Sequence, residues 1–186
     1  MPTTATPKAA EIDVLVEAGG WEALDLPALA GRAAEATLRR LGVAGPAEIA
    51  LLATSDAAVA RLNADFRGRP APTNVLSWPA QPLAPPAPGR APPSPGRDPA
   101  GGLFLGDIAL AWETCAREAR EGGTPLEAHA THLIVHAILH LLGYDHICDR
   151  DAALMEGLEG EILRGLGLPD PYSGASRQGG QESGPA

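Results

Sequence analysis

All five histidines of this chain fall between positions 129 and 146, and their spacing constrains the fold more than any other feature. The run His136-Ala137-Ile138-Leu139-His140-Leu141-Leu142-Gly143-Tyr144-Asp145-His146 sets His136 and His140 four residues apart. On an α-helix that spacing stacks two side chains one turn apart on one face, so both rings can aim a nitrogen at a common point. Gly143 offers the left-handed backbone with which a chain leaves a helix and reverses. His146 then swings back as a third imidazole. A lone histidine on an apolar helix face is ordinarily a satisfied core residue. Three of them at four and six spacing, with glycine at the turn between, are explained far better by metal ligation. Three neutral imidazoles around a Zn²⁺-like ion leave a fourth position open, which marks a catalytic rather than a structural site. There a bound water can lose its proton near pH ~7 and serve hydrolysis.

The flanking residues have less defined roles. His132, one turn before His136, can stay structural or reach the site rim, a supporting carboxylate or a substrate phosphate. His129 reads as structural or as a support behind the site. Asp145 can orient a ligand histidine through its other ring nitrogen, or cap the turn. Cys148 reads as a small buried thiol rather than a ligand. Cys115 and Cys148 are the only cysteines. They are too far apart for a zinc ribbon, and reduced thiols are expected.

Elements can be placed around this motif. Ile12, Val14 and Val16 alternate with Asp13, Leu15 and Glu17, predicting a first strand. Pro27 opens a helix to about Leu41, stopped by Gly42. Residues 48–53 read as a second strand. Thr54 or Ser55 caps a helix through about Phe66, with Val59, Leu62 and Phe66 on its inner face. Residues 74–78 and 103–110 read as short strands. Between them the segment from about 79 to 102 is so rich in proline, glycine and alanine that an exposed, mobile loop is expected. Helices are predicted over 114–121, from Thr124 as cap with Pro125 at the first position to Leu142, and over 149–166. Residues 1–10 and 173–186 read as a flexible and a disordered tail around one domain at 11–172.

A length of 186 residues suits one domain with a sizeable core. No run approaches the ~18 apolar residues of a membrane span, and no apolar stretch follows a basic start, so no membrane association and a cytoplasmic location are expected. The net charge of -9 argues against whole-surface attraction to nucleic acid, though not against a local basic patch. Of the 14 basic residues only Lys8 is lysine, an excess of arginine that reads chiefly as compositional bias.

The pattern H-x-x-x-H-x-x-G-x-x-H is shared with metzincin proteases, whose general base is a glutamate directly after the first histidine. Here that position is Ala137, which transfers no proton. The same segment strongly resembles the YbeY family of endoribonucleases, or rRNA maturation factors, whose pattern is H-G-x-L-H-L-x-G-Y-D-H; Ala137 replaces the usual glycine. Leu62-Asn63-x-x-Phe66-Arg67 with Pro72-Thr73-Asn74-Val75-Leu76-Ser77-Trp78 is similar to a second family block. Leu105-Gly106-Asp107-Ile108 is similar to a third, and Asp170-Pro171-Tyr172 also fits. The likeness spans about Ile12 to Tyr172. The proline-rich run is longer than the family's loop.

What the resemblance implies is an α+β domain with a small mixed sheet of about four strands, surrounding helices and a zincin-like histidine helix. It implies a zinc-dependent, single-strand-specific endoribonuclease acting in 16S rRNA 3′-end maturation and ribosome quality control. His136, His140 and His146 would ligate one Zn²⁺, and Arg67 would be the functional arginine. Single-stranded RNA, 16S rRNA and ribosomal proteins or the small subunit are the implied partners. The alternatives are a zinc peptide hydrolase and a non-catalytic, metal-stabilised ribosome-binding factor.

Overall fold

The computed structural model describes residues 10–173. The expected tails therefore lie outside the described residues, except that Ala10 already opens the first strand and Ser173 Oγ donates to the Asp170 carbonyl. Strands β1 (Ala10–Val16), β2 (Ala47–Thr54), β3 (Val75–Pro79) and β4 (Phe104–Ala111) form one sheet in the order β1-β2-β4-β3. β1 and β4 flank β2 in parallel, while β3 runs antiparallel to β4. Among the described residues five α-helices surround it: α1 (Leu26–Leu41), α2 (Asp56–Arg67), α3 (Trp112–Glu121), α4 (Leu126–Leu141) and α5 (Asp149–Gly165). This is the α+β architecture with a mixed four-stranded sheet that the family resemblance implies.

Strand periodicity divides the side chains between two faces. Ile12, Val14, Ile49, Leu51, Ile108 and Leu110 share the first face, in register across three strands. α1 and α4 pack on it, and α5 packs against both helices. α1 forms where expected because the Asp25 carboxylate accepts the Ala28 N–H at 3.2 Å, Pro27 sits in the first turn, and Gly42 closes the helix with φ 67°. Leu29, Ala30, Ala33, Ala34 and Leu38 supply its buried stripe. Burying a leucine here stabilises the fold by roughly 1.5–3 kcal/mol.

The second face is only half covered. Ser55 Oγ accepts the Ala58 N–H at 3.3 Å and starts α2, which packs Val59 on Leu76, Ala109 and Ala111. It leaves the β1 side of that face open. Phe66, expected on the inner face, is 67% exposed; its ring stands edge-on to Trp78 with centroids 5.5 Å apart. The reason is positional: the last turn of α2 overhangs the uncovered part of the sheet.

The starts of α3 and α4 also differ from expectation. α3 begins at Trp112, directly after β4, and is held by Asp56, whose carboxylate accepts from Thr114 N and Oγ1 at 2.9 and 2.7 Å. α4 begins at Leu126 without a side-chain cap, since Thr124 Oγ1 donates instead to the Gly122 carbonyl.

The proline-rich segment has neither helix nor strand, as expected, but it is tied down rather than loose. Arg97 donates to the carbonyls of Ala44, Pro46 and Gly101. Gln81 and Gly96 pinch the segment with reciprocal bonds of 2.7 and 2.9 Å. The Gly89 N–H donates to Asp151 Oδ1 at 2.6 Å. A chain poor in backbone donors thus finds its order through side chains, which proline counting does not reveal.

Candidate metal centre

α4 is buried around most of its circumference, from Ala130 through Leu133, Ile134, Val135, Ala137, Ile138 and Leu139 to Leu141. His132, His136 and His140 form the polar stripe of this apolar helix, each four residues from the next. The helix ends at Leu141, and Gly143 turns the chain with φ 88°. A Cβ on Gly143 would lie 1.9 Å from the Leu83 carbonyl oxygen, so glycine is required twice over, for conformation and for the approach of the proline-rich segment. Asp145 takes the capping role left open above: its Oδ1 accepts the His146 N–H at 2.7 Å.

The turn delivers His146 as the spacing predicts. His136, His140 and His146 each offer a ring nitrogen, all within 4.8 Å of one another. The Nε2 atoms of His136 and His140 lie 3.0 Å apart, and the His146 ring sits 5.7 and 5.2 Å from theirs by centroid. Burial, helped by the neighbouring His136 imidazole, pushes the His140 pKa down to about 4, so this ring is neutral at pH 7 as a ligand must be. Three converging imidazole nitrogens at one point suit a borderline cation such as Zn²⁺.

Arg67 reaches the same place from another element. It is the last residue of α2, closed by Gly68 at φ 66°, and its Nη2 donates to the Ser77 carbonyl at 3.1 Å. Asn63 shapes the loop behind it by donating to the Ala71 carbonyl at 2.8 Å. Arg67, Thr73, Asn74, Ser77, His136, His140 and His146 line one cavity of about 360 Å³. Asn74, opening β3, donates to Glu118 at 3.0 Å, and Glu118 also receives His129 Nε2 at 2.9 Å. His129 is therefore a support behind the site, tying β3, α3 and α4 together.

Sequence reasoning missed the carboxylate behind the histidines. Glu159 of α5 is fully buried, and its carboxylate accepts from His136 Nδ1 at 2.6 Å, His132 Nε2 at 3.0 Å and the Tyr172 hydroxyl at 2.5 Å. Burial alone would raise its pKa; the bonds from His132 and His136, with that from Tyr172, outweigh it and hold the carboxyl near about 2. A glutamate among Leu158, Ile162 and Leu163 on a buried helix face was the available signal. Neither thiol belongs to the converging group of ring nitrogens. Burial, with Glu118 nearby, pushes Cys115 up to about 12, and Cys148 Sγ, only partly buried, donates to Asp151 at 3.0 Å.

Fold and site together define an α+β protein with a solvent-open, three-histidine centre on one helix and its following turn. The family model described as endoribonuclease YbeY matches residues 20–167, and the chain belongs to that family. It is 56% identical over 167 residues to the endoribonuclease YbeY of Dinoroseobacter shibae, covering 89% of this chain and 92% of that protein. The Jannaschia sp. protein of the same description is 56% identical over 164 residues, covering 87% and 99%. The solution structure of TM1509 from Thermotoga maritima shares the fold, with TM-score 0.51 at 20% identity over 92% of this chain and 100% of that one. No helix among the described residues is long and apolar enough to cross a membrane.

Proposed function

We propose that this chain is a single-strand-specific, metal-dependent endoribonuclease acting in the cytoplasm on the 3′ end of 16S rRNA and in ribosome quality control, with residues 11–172 as one hydrolase domain. The observation that carries this reading is the convergence of three imidazoles and the Arg67 guanidinium on one cavity from separate elements. It is supported by relatives that carry the name endoribonuclease.

His136, His140 and His146 are the residues that would hold one Zn²⁺, which supplies Lewis acidity toward water and phosphate oxygen. His140, held neutral at pH 7 by burial, has no proton of its own to give up as a ligand. Arg67 spends one donor on Ser77 and keeps the rest of its planar fork for phosphodiester oxygens, where charge builds during cleavage. Ala137 is buried and carries no base, so the chain lacks the proton acceptor that peptide hydrolysis by this helix pattern uses. With a net charge of -9 the surface repels RNA at long range, and ribosomal proteins of the small subunit are the partners that would bring single strands to the cavity.

The test is cleavage of single-stranded RNA, duplex RNA and casein by protein of measured metal content, beside His136→Ala and Arg67→Ala. Single-stranded RNA should be cut, and both variants should lose that activity. Undiminished cleavage by His136→Ala would sink the mechanism. Casein hydrolysis without RNA cleavage would transfer the site to peptides. Unfolding on metal removal with no cleavage of any substrate would make the centre structural.

A further inference from the structure

α4 presents His132, His136 and His140 at successive turns, so the helix alone offers two equivalent four-spaced pairs for a metal. Something outside the helix must select between them. We infer that Glu159 is the positioning residue that makes this selection, by fixing His136 with Nε2 toward the cavity and withdrawing His132 from the ligand set. This inference rests on the metal reading of the three-histidine centre.

The two oxygens of Glu159 treat the two histidines differently. Oε1 accepts from His136 through Nδ1 at 2.6 Å. A neutral imidazole has one N–H, so placing it on Nδ1 leaves the lone pair on Nε2. That Nε2 is the atom 3.0 Å from His140 Nε2, on the ligand side. Oε2 accepts from His132 at 3.0 Å through Nε2 itself, the nitrogen a ligand would need to present. One carboxylate therefore presents one ring and occupies the other.

Glu159 is itself held in place. An unpaired buried carboxylate is costly enough that it would protonate or move. Here α5 packs against α4, and the Tyr172 hydroxyl supplies the carboxylate's third donor, to Oε2 at 2.5 Å. Tyr172 is placed by the turn after α5, where its N–H donates to Asp170 Oδ1 at 2.9 Å and Arg164 pairs with Asp170 Oδ2 at 2.5 Å. The Asp170-Pro171-Tyr172 motif thus acts on the centre through Glu159. A carboxylate bonded to the outer nitrogen of a ligand histidine also raises that ligand's basicity, and losing such a partner typically weakens metal binding about 10–100-fold.

The experiment measures Zn²⁺ affinity by competition with a chromophoric chelator for the wild type, His140→Ala, Glu159→Gln and Tyr172→Phe. Long-range ¹H–¹⁵N imidazole spectra of the metal-free wild type accompany it. The wild type should bind one Zn²⁺, His140→Ala should not, and Glu159→Gln should bind about 10–100-fold more weakly with an unchanged circular dichroism spectrum. Tyr172→Phe keeps the carboxylate and should lose less. Metal-free His136 should carry its proton on Nδ1 and His132 on Nε2, a readout that stands even should Glu159→Gln fail to fold. A wild type that binds no Zn²⁺ overturns the centre itself. Normal binding that depends on His140 but stays within about twofold in Glu159→Gln overturns the role of Glu159 alone, as does a His136 proton on Nε2.

Discussion

The two faces of the sheet each carry a hollow, and the larger one is not where the chemistry converges. On the first face, beside β3, the histidine cavity measures about 360 Å³ and is lined mostly by polar groups. On the second face a cleft of about 680 Å³ runs over β1, β2 and β4, lined by Leu15, Ala50, Leu52, Leu62, Phe66, Trp78 and Ala109 with Asp13, Glu17 and Asp107 among them. Ser77 and Trp78 are neighbours in β3, yet one serves each hollow, because successive strand residues point to opposite faces. The first hollow is walled by a helix whose every other side is packed. The second exists because α2 covers only the β3–β4 half of its face. Volume reports where packing stops; donor convergence reports where chemistry can occur.

This contrast can be broken or sharpened by substitution. The largest effect is expected for His140→Ala, which should lose bound metal and lower single-stranded RNA cleavage by about 10³-fold, measured by initial rates at fixed total zinc. Next comes the covered side of the sheet: Leu51→Ala should cost about 2–5 kcal/mol in urea unfolding, because α1 and α4 cannot close over the void. Arg67→Ala should lower cleavage by about 10²-fold with its melting temperature unchanged, since the side chain is exposed and makes one bond to Ser77.

Acid should then separate the two hollows more gently. Burial, with the His136 imidazole nearby, pushes the His140 pKa down to about 4 in the fold against 6.5 ordinarily, so the unfolded chain binds more protons between those values. Stability of the metal-free protein therefore falls as pH drops through that window, and the fall in melting temperature should flatten in His140→Gln. The smallest effect is expected on the open face. Leu15→Ala, at a side chain 60% exposed, should shift stability by no more than about 0.5 kcal/mol. A loss comparable to that of Leu51→Ala would show that the face is covered in solution.

Much of this was legible beforehand, for reasons that particular residues make plain. The ends of α1 were readable from Pro27 and Gly42, since proline and glycine act through their own backbone limits. His136, His140 and His146 were readable because helix periodicity and a glycine turn are local rules. Phe66 was misplaced because helix spacing says which residues share a face, not whether the sheet beneath reaches far enough to cover it. The order of the proline-rich segment escaped notice because its Arg97 ties it to the carbonyls of Ala44 and Pro46, and Asp151 of α5 holds Gly89, all partners outside the segment's own composition.

The sequence by itself determined the convergence of His136, His140 and His146 and the strand alternation, because both follow from local rules of the backbone over a few residues. Only the tertiary structure decided that Arg67 shares the histidine cavity, that α2 leaves one face half open, and that Glu159 stands behind His136. Each of these depends on which distant segments meet, and no local period encodes that.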